Sequence, residues 1–328
     1  MKSVTTQPVI ANASAHADRL IKQNALAMYR AGLAANTITA QRNDLDRWAQ
    51  FVTEQTATNC DWRDCLACWQ PVTHGLVTVF VAWMAGRYAT ATTNRALATI
   101  KEYSRLAASA GHLQPEQYTL IANVKGLHGG NARNHKVRAS AKKAQWTAMT
   151  ADQRGALRTK PDTPQGRRDA VIVEVLLGLG VRVSELQSLT IGDIDLSSQT
   201  MRITRHKTNT VQTLRLHNGV LAAITAYITI DRAGAMPTDA LLLGSNRWGQ
   251  LVGAMTIIAI QKRVCALGAA VGIGALSPHD LRHDWATRAA IATPIKAFQD
   301  AGGWASPAMP LRYVASAAVA NDGVILPD

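Results

Sequence analysis

The sequence predicts a mainly α-helical protein with a small β-sheet or hairpin, arranged as an all-helical N-terminal domain followed by an α+β domain. Three observations carry this reading. The chain has 328 residues, enough for about two domains. Apolar residues recur at helical spacing in most long segments, whereas period-two alternation marks 193–216. From Gln117 to Ala151 there is no acidic residue, and this basic stretch separates the halves. The boundaries that follow are 1–125 for the helical domain, 126–145 for a basic linker and 146–328 for the second domain.

In the first domain, helices are expected over 17–32, 36–52, 74–87 and 92–111. The second of these opens with Asn36 as N-cap and repeats Ile38, Leu45, Trp48 and Val52 along one face. The fourth stops at a glycine. In the second domain, "DAVIVEVLLGLG" (169–180) reads as a buried helix, and 193–216 as a hairpin turning at a segment that contains Asn209. Further helices are expected over 218–231 and 251–270. "SPHDLRHDWAT" (277–287) then opens another, because Ser277 caps, Pro278 takes the first helical position and Asp280 reaches back.

The composition is that of a globular protein, 47% apolar and 17% charged, with a formal net charge of +13. That excess points to a polyanionic partner, most simply nucleic acid; an acidic membrane surface is the other reading. Residues 1–145 hold 17 Lys and Arg against 8 Asp and Glu, so the excess concentrates there. Arg95, Lys101 and Arg105 on the fourth helix form either a solvated face or a nucleic-acid contact. The linker carries Arg133, Lys136, Arg138, Lys142 and Lys143, with Lys125 just ahead of it. It reads as a strap along a phosphate backbone rather than a tether, because unopposed cations gain from counterion release.

No segment reads as a membrane span, and the N-terminus lacks the apolar run of a signal peptide, so a cytoplasmic protein is expected. Three of the four cysteines lie in "CDWRDCLACW" (60–69). Their spacing is not the pair-and-pair pattern of a zinc site, even with His74 added, and reduced thiols are the expectation.

The opening of the helix at 277 sets His279 in its first turn, with Arg282 on the same face. A helix start presents unpaired N–H groups and partial positive charge, so it favours an anion over a metal cation. His279 and His283 lack the glutamate of the H-E-x-x-H pattern, and Arg282 sets a fixed charge beside them. A second guanidinium, Arg182 in "GLGVRVSELQSLT" (178–190), also falls at a helix start, where Ser184 and Gln187 suggest a capping box and Gly178 and Gly180 ease the turn. A dinucleotide-binding loop is excluded there, since the third glycine is missing and the preceding segment is helical. No Gly-Lys dipeptide occurs, so a Walker-type nucleotide loop is absent as well. Downstream, "AGGWASPAMPLRYVA" (301–315) supplies Trp304 and Tyr313.

Taken in order, Arg182, Lys207 in the turn "RHKTNT", His279-x-x-Arg282, Trp304 and Tyr313 resemble the active site of the tyrosine recombinase (phage integrase) family. Tryptophan in place of a second histidine is similar to its simple, Cre/Xer-like members. The resemblance spans the chain. It implies a helical, SAM-like core-binding domain and a catalytic domain that close on DNA as a C-shaped clamp. A further arm-binding domain, as in larger phage integrases, is not expected before residue 17.

By this resemblance, Tyr313 attacks a DNA phosphodiester to give a 3′-phosphotyrosine and a free 5′-hydroxyl, Lys207 protonates the leaving oxygen, and Glu185 orients its basic neighbours. Four protomers act on two duplexes, with no metal, ATP or other cofactor, no nucleotide and no membrane. The apolar patch near the C-terminus, Val324 to Leu326, either docks on a neighbouring protomer or caps its own. Physical chemistry fits the residue types. Unperturbed tyrosine is only about one part in a thousand ionised at neutral pH, so it needs a base. His279 at a positive helix end is biased toward the neutral form that can serve. Arg182 and Arg282 suit the non-bridging phosphate oxygens, because a guanidinium donates in pairs and keeps its charge. The Trp304 N–H can donate to the same phosphate. Two other activities remain open from the sequence: a type IB topoisomerase-like nicking-closing enzyme, and a catalytically idle DNA-binding accessory protein.

Overall fold

The computed structural model describes residues 7–56, 60–127, 147–205 and 210–313. The chain divides into two compact units, Met1–Ala144 and Gln145–Asp328. Lys207, Arg133, Lys136, Arg138, Lys142, Lys143 and the C-terminal apolar patch lie outside the described residues.

The first unit is helical: α1 (Gln7–Ala31), α2 (Ala35–Thr56), α3 (His74–Ala85), α4 (Thr90–Ser109) and α5 (Pro115–Ala122). Its core is aromatic. Trp48, fully buried, stacks on Trp69 with ring centroids 5.7 Å apart and meets Trp62 and Phe80 edge-on. Such offset and edge contacts suit the ring quadrupole, and each ring hides a large apolar area. α2 starts one residue before Asn36, which therefore lies inside the first turn and is not the N-cap. Thr73 does cap α3, accepting from the Leu76 N–H.

The expectation of reduced thiols needs correction. Cys60 and Cys68 form a disulfide with their Cα atoms 6.1 Å apart, while Cys65 and Cys265 are free and exposed. Asp61 Oδ1 accepts from the N–H groups of Arg63 and Asp64, and this turn, followed by a 3₁₀ segment at Leu66–Trp69, doubles the chain back. Linear spacing cannot show that return.

The second unit begins with α6 (Ala151–Arg158) and α7 (Pro164–Leu179). α7 is buried over most of its length and forms the centre of the core, packing against α9 (Asn218–Asp231) and α11 (Pro278–Ala292). Between α7 and α9 come the short α8 (Val183–Gln187) and a three-stranded antiparallel sheet of β1 (Ile194–Asp195), β2 (Thr200–Arg205) and β3 (Thr210–Arg215). Met201, Ile203 and Arg205 alternate inward and are buried, with Ile203 opposite Gln212 and Arg205 opposite Thr210.

The helix expected over 251–270 is shorter than that. β4 (Leu243–Ser245) pairs with β5 (Leu251–Ala254), and α10 (Ile257–Ala270) begins only after Thr256, whose side chain accepts from the Ala259 N–H. Gly253, at φ +61°, is incompatible with a helix, and an apolar run of this length does not distinguish strand from helix. The chain continues through α11 to α12 (Ile295–Gly302) and a 3₁₀ turn at Pro310–Arg312. Among the described residues no helix is long and apolar enough to cross a membrane.

Candidate active site

α11 starts as its sequence pattern requires. Ser277 Oγ accepts from the Asp280 N–H, and Asp280 Oδ2 accepts from the Ser277 N–H at 2.8 Å and its hydroxyl at 2.7 Å. Asp280 Oδ1 also takes the N–H of Thr147, which ties the start of the unit to this cap. The first turn of α11 thereby presents His279, and the next carries Arg282.

The start of α8 differs from expectation. Arg182 has extended backbone angles and is itself the N-cap, so the third helical position belongs to Glu185. Glu185 Oε2 accepts the Arg182 N–H and Oε1 accepts from Arg182 Nη1, both at 2.7 Å. The Ser184–Gln187 pair is therefore two positions out of register with the cap. Glu185, 1% exposed, also accepts from Arg205 Nη1 at 2.7 Å. Arg205 is fully buried, and its other donors reach Ala301 O and Gln212 Oε1. One carboxylate thus holds two guanidiniums. Burial raises its pKa, but the Arg182 N–H and the two guanidiniums outweigh this and leave it below the ordinary value.

Arg282 is anchored by backbone at two helix ends. Nη1 donates to Gly180 O and Nη2 to Gly302 O at 2.6 Å, while its guanidinium carbon lies 5.0 Å from the centre of the Trp304 ring. Carbonyls at helix C-termini carry partial negative charge and favour this cation. Gly180 is required here: it has φ +60°, and a Cβ on it would stand 2.1 Å from the Trp285 ring. Burial, then the Arg182 charge, lowers the Arg282 pKa to about 10, which still leaves it protonated at neutral pH.

Tyr313 follows the 3₁₀ turn and packs in a small aromatic cluster. Its ring centre is 5.8 Å from Trp304, 6.2 Å from Phe298 and 5.2 Å from His283. Burial raises the phenol pKa, against the pull of Arg282 and Arg312. Burial, then Arg282, lowers the His279 pKa, with Arg182 acting in the same direction and Asp280 against it.

These groups line one cavity of about 760 Å³, formed by Arg182, His279, Arg282, His283, Thr287, Trp304, Met309, Arg312 and Tyr313. Five of the residues singled out from sequence therefore converge, with Glu185 behind Arg182. Arg205, His283 and Arg312 were not anticipated as parts of the site. Arg205 had a legible signal, because it occupies the inward register of β2 after Met201 and Ile203. Among the described residues no three of His, Cys, Asp or Glu come together to hold a metal ion. In the first unit, Arg95 pairs with buried Asp44 at 2.8 Å, Lys101 donates to Ala122 O at 2.7 Å, and Arg105 pairs with Glu102 at 2.6 Å.

Residues 147–319 match the phage integrase family. The tyrosine recombinase XerC of Roseiflexus sp. (strain RS-1) is 30% identical over 260 residues, which cover 77% of this chain and 74% of that protein. XerC of Herpetosiphon aurantiacus is 30% identical over 78% of this chain and 76% of its own length. In fold, the chain is similar to the Tn1549 transposon integrase in complex with transposon right end DNA, with a TM-score of 0.64, 17% identity, and 92% and 95% of the two chains covered. It is also similar to a lambda integrase dimer bound to a COC′ core site, with a TM-score of 0.57, 14% identity, and coverage of 88% and 91%. On the family match and the identity to the XerC proteins, the chain belongs to the phage integrase family, the tyrosine recombinases.

Proposed function

We propose that this chain is a site-specific recombinase that cuts and rejoins duplex DNA through a 3′-phosphotyrosine. The observation that supports it most is the convergence of Arg182, His279, Arg282 and Trp304 beside Tyr313 in one cavity. Tyr313 Oη attacks phosphorus, its proton passes to His279, and the bond to the 5′-oxygen breaks. Lys207, between β2 and β3 in the sequence, protonates that oxygen. Arg182 and Arg282 offset the charge that grows on the non-bridging oxygens. Glu185 holds Arg182 and Arg205 in place, and the Trp304 ring supports Arg282. The phosphotyrosine keeps the bond energy, so attack by another 5′-hydroxyl rejoins the strand without a nucleotide cofactor.

Its partner is duplex DNA at specific sites, engaged by a tetramer on two sites in the cytoplasm, on the DNA of the nucleoid. The linker cations Arg133, Lys136, Arg138, Lys142 and Lys143 contact its phosphates. Arg95, Lys101 and Arg105 serve there only by exchanging their present partners for phosphate.

The test uses sites selected from random duplexes by the chain itself. A plasmid bearing two such sites yields recombinants, a plasmid without them stays supercoiled, and Tyr313→Phe binds the sites but makes no product. Relaxation of both plasmids identifies a topoisomerase instead. Binding without any covalent adduct identifies an accessory protein.

A further inference from the structure

His279 Nε2 and His283 Nε2 lie 3.1 Å apart, with the two rings edge to face and their centres 4.5 Å apart. A neutral imidazole carries one N–H and one bare nitrogen, so a hydrogen bond between two Nε2 atoms requires opposite tautomers. Two imidazoliums would set donor against donor beside Arg282 and Arg182. The pair therefore accommodates one proton between the facing nitrogens. His283 is also the imidazole whose ring touches that of Tyr313, with centres 5.2 Å apart, and it lines the same cavity. Its backbone is fixed by α11, where its carbonyl accepts from Thr287 Oγ1.

We propose that His283 is a positioning residue for strand cleavage: it fixes the tautomer of His279 and shares the charge of the imidazolium formed when Tyr313 gives up its proton. This rests on the recombinase reading above. The tautomer matters because only a bare nitrogen on His279 can receive the phenol proton. Once protonated, His279 donates from Nε2 to His283 Nε2, and the proton returns when the strand is rejoined. Among the described residues, the groups facing the pair are Asp280 and Arg282 on α11, Arg182 at the start of α8, and Arg312 and Tyr313 beyond α12. Burial, then the neighbouring His279, holds the His283 pKa below the ordinary value, consistent with a pair that stays neutral until the reaction.

The experiment measures single-turnover adduct formation on a nicked duplex carrying a selected site, across pH, for wild type, His279→Ala, His283→Ala and the double variant. His283→Ala is expected to slow adduct formation about 10- to 100-fold, the usual cost of losing an orienting partner, with DNA affinity unchanged. In the His279→Ala background the same change is expected to cost nothing further. The acid limb of the His283→Ala profile moves to lower pH, because the His279 imidazolium loses the acceptor that favours its charged form. His283→Gln, whose amide oxygen keeps an acceptor, restores part of the rate where His283→Leu does not, and it replaces alanine if that variant fails to fold.

Costs that add in full, or an acid limb that stays in place, overturn the inference. So does a larger loss for His283→Ala than for His279→Ala, which makes His283 the base itself. Absence of an adduct with the wild-type chain contradicts the recombinase reading, whereas adduct formation indifferent to His283 contradicts this inference alone.

Discussion

Glu185 carries a consequence for both stability and pH. Its carboxylate separates Arg205, which is fully buried, from Arg182, which faces the cavity. Removing its charge leaves a buried guanidinium without a counterion, so Glu185→Gln is expected to destabilise the catalytic unit by about 3 kcal/mol in urea unfolding at neutral pH. Because its folded pKa lies below the ordinary value, the carboxylate contributes stability that is complete above about pH 5 and is lost as pH falls through the folded value. The variant should lack that acid-dependent part, and an unchanged acid profile would contradict the role. His279 has the opposite chemistry. Its lowered pKa keeps the imidazole neutral down to below about pH 6.5, so cleavage should fall only on further acidification. At this scale, Arg182, His279, Arg282, Trp304 and Tyr313 were legible because their chemistry is explicit and their order matches a family pattern. Arg205 left only its inward register on β2 as a signal and His283 left none, since burial of an arginine and a contact between two imidazoles depend on the fold.

α11 illustrates what is legible in an element. The Ser277–Asp280 box was written in the residues and forms as expected, and it positions His279. Ser277→Ala is expected to cost about 1 kcal/mol of unfolding free energy, the usual price of an N-cap. It should also slow adduct formation severalfold, because the first turn of α11 frays. A stability loss with an unchanged rate would show that His279 is held by its other contacts instead. α8 and β5 mark the limit. The α8 cap was displaced because helix boundaries shift by one or two residues on small changes in backbone angle. The strand at Leu251–Ala254 was hidden in an apolar run, and only Gly253 signalled the break. The Cys60–Cys68 pairing was likewise set by a turn and a 3₁₀ segment rather than by spacing.

At the level of the whole molecule, two units with separate cores divide the chain, and the positive charge concentrates in the first 145 residues. The helical character of the first unit and the mixed character of the second followed from periodicity alone, because amphipathic patterns report which faces are buried. The positive charge agrees with the proposed DNA partner, but charge names no sequence. The central claim is that the phenol of Tyr313, beside two guanidiniums and an imidazole, is the group that takes the DNA strand. The most direct measurement digests the trapped protein–DNA adduct and identifies the attached peptide and DNA end by mass spectrometry. The expected product is a 3′-phosphate on Tyr313, absent from Tyr313→Phe; attachment at another residue, or through a 5′-phosphate, would contradict the account.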